Sequence, residues 1–423
     1  MKPLAARRWA GRAARIAVSL ASAVAAAAAA QDSGVRSDTE EIVITAERAR
    51  AATKTDTKLL EIPQAISVVT AERIADIGAL NFQETLRYTA GVRAESYGLD
   101  TRNDIAFVRG FDPVQYLDGM IKQVSYALIP RADVFTLERI EVLRGPSSVL
   151  YGAGTTGGLL NLVSKRPQQD PAGELAASYG SFDRKELRLD VTGAFDADGV
   201  FSARLLGLAR DADLQAERTH GDRYLAAPSL RWRPGDDTDV TLLGLWQKDD
   251  TSTSQQFLPI VATVLAPKSQ RLPDTLQLGE PEFDRLESEQ LQGSLLVEHA
   301  FTESIALRTN LRHVDAKTTY FNIYPDVYGN PFDPFIDADD RVVARNAFGT
   351  KPHYEISTAD TNLQLDFTTG PFEHRVLVGL DYWSFRQSSS SGFDVNTPID
   401  IYARRAAAAA PRTSASALEP SSR

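Results

Sequence analysis

Residues 137–167 read LERIEVLRGPSSVLYGAGTTGGLLNLVSKRP, and their alternation of apolar positions broken by a glycine cluster decides the fold. Ile140, Val142 and the run Ser147-Ser148-Val149-Leu150 predict short strands. Gly152, Gly154, Gly157 and Gly158 supply turn conformations that a Cβ resists. The stretch is compact β structure with sharp corners.

Gly152, Gly154 and Gly157 also fit the G-x-G-x-x-G spacing of a dinucleotide-binding turn. That fingerprint counts only inside a βαβ unit. Here LLNLVSKRP follows, a short apolar run ending in a basic turn without helical periodicity, so the cluster reads as a structural turn.

Working outward, LRGPSSVLYG followed by GGLLNLVSKRP resembles the end of the plug domain of TonB-dependent outer-membrane receptors, in the ferric-siderophore branch of ferrichrome type. The resemblance extends upstream through YLDGM (116–120), FVRGF (107–111), LRYTAGV (86–92) and IPQAISVVT (62–70). It implies an α+β plug domain, over residues 53–167, followed by an antiparallel transmembrane β-barrel whose first part spans 171–400.

Composition is compatible with this. The 423 residues contain no cysteine, which removes disulfides, thiolate metal sites and cysteine nucleophiles together. A net charge of -10, with acids and bases interspersed, offers no basic stripe for nucleic acid. A mean hydropathy of -0.24 is no obstacle to a barrel, whose lumen-facing and lipid-facing residues alternate.

Residues 1–30 predict a cleaved signal peptide: Arg7, Arg8, Arg12 and Arg15 precede the apolar run 16–30, and Ala28 and Ala30 stand before Gln31. That run is shorter than the roughly 20 residues a spanning helix needs. Within the flexible segment 31–52, Glu41, Ile42, Val43, Ile44, Thr45 and Ala46 form an isolated β-branched run suited to pairing with another protein's sheet edge. The resemblance makes this the TonB box, captured by a TonB-type energy-transducing protein; an ordinary plug strand is the other reading.

Residues 71–77 predict a helix, and Asn81 an N-cap for the FQETLRYT segment. After Pro171 the pattern lengthens to about nine alternating strands, near 173–180, 184–193, 200–211, 223–233, 238–248, 288–300, 304–315, 358–368 and 374–386. Connections 194–199, 234–237, 301–303 and 369–373 are short, whereas 212–222, 249–287 and 316–357 are long. Short periplasmic turns alternating with long outer loops mark an outer-membrane barrel, although 181–183 breaks the alternation. Trp232, Trp246, Phe367, Tyr382 and Trp383 are candidates for its interfacial aromatic girdles in contact with outer-membrane lipid.

Enclosing a plug takes about 22 strands, and a sheet with open edges leaves unpaired backbone groups in lipid. The low-complexity segment 401–423 shows no tenth strand. The sequence therefore reads as the front part of a longer receptor, cut by a frameshift, early stop or contig end, and not transport-competent as written.

The resemblance places a ferric siderophore between plug apices, at 93–103 and 122–131, and the barrel wall. Tyr97, Arg102, Gln123 and Tyr126 are the binding candidates, with Trp246 and Tyr324 as weaker ones from the wall. Arg109, Glu138, Glu141 and Arg144 hold motif positions that lock plug to wall in the family; a solvated strand face is the alternative. Import needs no catalysis and no cofactor, since iron arrives as a chelate. His220, His299, His313, His353 and His374 show no metal-ligand spacing on one element, and the acidic run 333–340 reads as a solvated loop before a calcium site. The competing function is a secreted β-rich carbohydrate-binding or carbohydrate-active protein.

Overall fold

A computed structural model describes residues 48–49, 53–55, 57–98, 100–123, 128–152, 154–253, 257–403 and 405–406. The expected TonB box at 41–46, the signal peptide and Tyr126 lie outside the described residues.

β1 (Arg48–Ala49) pairs with β2 (Thr57–Lys58). Next comes β3 (Ala65–Thr70), and Thr70 caps a helix over Ala71–Asp76 by accepting from the Arg73 N–H. Asn81 caps a second helix, Phe82–Thr85, as its sequence position predicts: its side chain accepts from the Glu84 N–H at 3.0 Å. Glu84 reaches back to accept from Leu80 N–H at 2.8 Å, which adds a reciprocal bond at the same terminus. β4 (Val92–Ala94) and β5 (Ala106–Val108) form a small hairpin.

β6 (Val114–Leu117), β7 (Met120–Gln123), β8 (Leu137–Arg144) and β9 (Gly158–Ser164) join β3 in a five-stranded sheet of order β3-β8-β9-β6-β7. β8 runs antiparallel to both neighbours, and β6 runs parallel to β9. Phe82, Leu86, Val108, Leu137, Ile140, Val142, Leu160 and Leu162 fill the core between sheet and helices. Each such side chain contributes about 1.5–3 kcal/mol on burial.

The glycine cluster is explained by close backbone approach. A Cβ on Gly158, at φ +140°, would stand 2.0 Å from the Leu143 carbonyl oxygen, and one on Gly157 would stand 2.3 Å from that of Val108. No larger residue allows β8 and β9 to pair here. One expectation fails: Ser148–Tyr151 is a single helical turn rather than a strand. The Ser147 carbonyl accepts from Leu150 and Tyr151 N–H groups, and closing that turn buries Tyr151 against Tyr116 at 4.7 Å.

The second part is an antiparallel sheet in which every strand pairs with the next: β10 (Ala172–Gly180), β11 (Arg184–Ala194), β12 (Phe201–Asp211), β13 (Gly221–Gly235), β14 (Thr238–Thr251), β15 (Arg285–Thr302), β16 (Ile305–Pro325), β17 (Val342–Thr369), β18 (Phe372–Asp400) and β19 (Arg405–Ala406). The nine expected strands all form, and a two-residue β19 pairs with the end of β18, where the sequence reading has none. Among the described residues β10 and β19 do not pair with each other, so the sheet is not closed.

Alternation sorts the faces. Leu242, Leu295, Leu311, Ala359 and Tyr382 are successive cross-strand partners on the outward face, an apolar row running across five strands. Trp232, Trp246, Phe367, Tyr382 and Trp383 are all exposed. The three long outer connections are 212–220, 252–284 and 326–341, so the expected loop 316–357 is mostly strand. β16, β17 and β18, at 21, 28 and 29 residues, overshoot the roughly 9–11 residues of a membrane crossing. Their overhang carries polar outward residues such as Lys317, Lys351 and Glu355, which hides it from a search for lipid-facing alternation.

Candidate functional site

The overhang encloses a cavity of about 1510 Å³ together with the plug apex and the outer loops. Tyr97, Asp100 and Arg102 come from the plug; Tyr320, Tyr324, Phe348, Tyr354 and Phe385 come from β16, β17 and β18; Phe257, Arg271 and Tyr328 come from the loops. Period-two alternation puts Tyr320 and Tyr324 on the inward face of one strand. Phe257 meets Tyr324 edge-on at 5.8 Å and Tyr328 at 5.5 Å.

Arg102 is the plug's cation in this aromatic chamber, alongside Arg271 from the loop. Asp100 accepts from its Nε at 3.2 Å and Nη2 at 2.9 Å, and the guanidinium lies 5.8 Å from the Phe257 ring. Burial alone would lower its pKa, but the Asp100 carboxylate outweighs that and raises it, so the group stays charged. An aromatic-walled chamber with a fixed cation suits a large ligand of planar, oxygen-rich groups.

Of the expected contacts, Tyr97 and Arg102 line the cavity, and so does Tyr324. Gln123 ends β7 opposite Gln115. Trp246 faces outward instead, 38% exposed and donating to Glu289 at 2.9 Å, which corrects its reading as a wall contact for ligand. Phe257, Tyr320, Tyr328, Phe348, Tyr354 and Phe385 were missed. For Tyr320 the parity shared with Tyr324 was an available signal; the loop aromatics carried none.

The loop 252–284 is packed onto the wall. Ala262, Leu276 and Leu278 bury against Val343, Ile399 and Ile401. Asp284 accepts from Ile323 N–H at 2.7 Å, and burial pushes its carboxyl up to about 8.

Three of the four expected lock residues, Glu138, Glu141 and Arg144, make side-chain bonds within the plug. Arg139 pairs with Glu138 and Glu141 at 2.9 Å each, Asn161 donates to Glu141 at 3.0 Å, and Arg144 donates to the Ala90 carbonyl and Ser67 hydroxyl. The Arg109 guanidinium stands beside Gly145, also in the plug. β8 is an interior strand of the plug sheet, between β3 and β9, and Glu141 is completely buried there. Ion pairs that cross to the wall use other residues: Lys54 with Asp360 at 2.6 Å, Asp133 with Arg223 at 3.0 Å, and Lys165 with Asp190 at 2.9 Å.

Residues 58–159 match the TonB-dependent receptor plug domain. The ferrichrome outer membrane transporter/phage receptor of Escherichia coli (strain K12) is 34% identical over 376 residues, covering 84% of this chain and 50% of that relative. The ferrioxamine B receptor of Salmonella typhimurium (strain SL1344) is 30% identical over 367 residues, covering 85% and 51%. The chain thus spans about half the length of the curated relatives it matches. Among solved structures, the closed form of the ferric-catecholate import receptor Fiu of E. coli K12 aligns with a TM-score of 0.73 at 24% identity, covering 84% of this chain and 52% of that one. BauA, the ferric preacinetobactin receptor of Acinetobacter baumannii, aligns at 0.72 and 18%, covering 84% and 52%. At these identities the structures speak for the fold alone. These relatives are receptors and transporters rather than enzymes, and they lend nothing to the carbohydrate-active alternative. In its plug domain, its antiparallel wall and these relatives, the chain is similar to the TonB-dependent outer-membrane receptors, a ferrichrome transporter among them.

Proposed function

We propose that this chain supplies the plug and the ligand-binding part of the wall of a receptor that takes up a ferric siderophore, of hydroxamate type, across the outer membrane. The observation that carries the reading is the cavity of about 1510 Å³ shared by plug apex, wall overhang and outer loops, with Arg102 in its lining. The relatives named for ferrichrome and ferrioxamine B support the hydroxamate class. In this reading Tyr97, Arg102, Gln123 and Tyr126 contact the ligand from the plug. Residues 41–46 are captured by a TonB-type partner, which supplies the energy for release inward. The wall around the plug needs more strands than the ten described, since open edges in lipid each leave a row of unpaired backbone groups.

Iron-limited growth of cells whose only receptor is the full protein tests this, with single siderophores as iron source. Growth on ferrichrome or ferrioxamine B, abolished by deleting residues 41–46 while surface binding persists, is the expected result. Growth unaffected by that deletion removes the energy-coupling claim, and fractionation as a soluble periplasmic protein removes the receptor reading.

A further inference from the structure

The YLDGM motif is a tight hairpin turn. Asp118 and Gly119 both take positive φ, +52° and +79°, between β6 and β7, the geometry of a two-residue turn whose twist matches its strands. The Asp118 carboxylate accepts from the Ser164 N–H and hydroxyl, and Gly119 N–H donates to Asn161 at 3.0 Å. Those bonds fix the turn to β9 and leave its carbonyls to point at the wall.

One wall strand takes four of the carbonyls in and around it. Arg312 donates through Nη1 to the Leu117 carbonyl at 3.0 Å and through Nη2 to the carbonyls of Met120, at 3.4 Å, and Ile121. Asn310 donates to the Asp118 carbonyl at 3.1 Å. Further along the same inward face of β16, Arg308 donates to the Lys54 carbonyl at 2.6 Å and Thr318 to the Leu128 carbonyl at 2.7 Å. Tyr354, the next strand's cavity residue, accepts from Leu128 N–H at 3.1 Å. Asn310 and Arg312 thus grip the 117–121 turn, and Thr318 grips Leu128.

We propose that the inward row of β16 is the positioning element of the ligand site: Arg312, seconded by Asn310 and Thr318, holds the plug at the 117–121 turn and at the cavity residue Leu128 through main-chain carbonyls, without touching ligand. The acceptors being backbone, the plug side of the grip is independent of side-chain identity there. Arg312 is buried, 4% exposed, and its planar fork suits several carbonyls at once. Hydrogen bonds from a charged donor are stronger than neutral ones, so one substitution is enough to loosen the turn.

This inference rests on the siderophore-receptor reading for its ligand readout but not for its structural one. In the full receptor purified in detergent, Arg312→Met is compared with wild type by hydrogen exchange over peptides spanning 117–131 and by ferrichrome titration. Exchange there speeds up at least about tenfold, and affinity falls about tenfold. Arg312→Lys recovers part of both, and His313→Ala, on the outward face of the same strand, changes neither. Should Arg312→Met fail to insert, Asn310→Leu and Thr318→Val give the same pair of changes at smaller size. Unchanged exchange, or faster exchange with unchanged affinity, overturns the proposal. If wild type binds no ferrichrome the function reading fails, and the exchange result still decides whether β16 holds the plug.

Discussion

Replacing Asp133 with Asn tests the plug-to-wall attachment by its dependence on pH. Asp133 is 4% exposed; Arg223 approaches it at 3.0 Å and Arg210 at 3.5 Å, while Phe135 N–H donates to it at 3.0 Å. Burial would raise its pKa, but the two guanidiniums and the N–H overcome that and hold it at about 2, well below the usual carboxylate range. The difference of about 2 units corresponds to about 2–3 kcal/mol of stability. Because the native pKa is depressed, that contribution is complete above about pH 4 and is lost as pH falls through about 2. Asp133→Asn keeps the acceptor for Phe135 but not the charge, and it lowers plug stability by about 2–3 kcal/mol at pH 7. Urea titrations at pH steps from 7 to 2, read by hydrogen exchange of peptides spanning 133–144, give wild type minus variant at each pH. That difference shrinks towards zero at the acid end. A difference constant with pH, or one growing in acid, refutes the reasoning.

Three further outcomes are expected. Asp284→Asn removes a buried carboxyl that is raised to about 8; between about pH 4 and pH 8 the wild-type loop 252–284 loses stability as pH rises and the variant does not, measured by proteolysis of the loop across that range. Gly158→Ala drives a Cβ into the Leu143 carbonyl and prevents β8–β9 pairing, so the plug fails to protect its amides from exchange even where the wall inserts. Asn81→Ala removes a helix cap and costs about 1 kcal/mol of plug stability by urea titration, whereas Asn81→Asp costs less.

What the sequence made legible was local. Period-two alternation located nine wall strands, and the segregation of short and long connections showed which ends face outward. Glycines 157 and 158 read as turn formers, and only the fold reveals that they let the Val108 and Leu143 carbonyls approach closely. Ser147–Leu150 misled because a four-residue run has no period of its own, and the bonds accepted by the Ser147 carbonyl decide its conformation. The expected plug-to-wall lock named Arg109, Glu138, Glu141 and Arg144, whereas Arg139, the partner of Glu138 and Glu141 in the fold, lay beside them and was overlooked. Contacts such as Arg312 with the 117–121 turn join residues about 190 positions apart, and nothing in local pattern announces them. The cavity is similar: Arg102 and Tyr97 were legible as plug-apex residues, whereas Phe257 and Phe385 reach it only through loop packing and strand register.

The central claim is that the cavity lined in part by Arg102 binds a ferric siderophore. Titrating the purified full receptor with ferrichrome and with ferrioxamine B, alongside Arg102→Ala and Phe257→Ala variants, tests it most directly. Saturable binding to the wild type, weakened about tenfold or more in each variant while the outward-facing Trp246→Phe control binds normally, is the predicted result. Equal binding by all four proteins, or none by the wild type to any ferric siderophore, contradicts it.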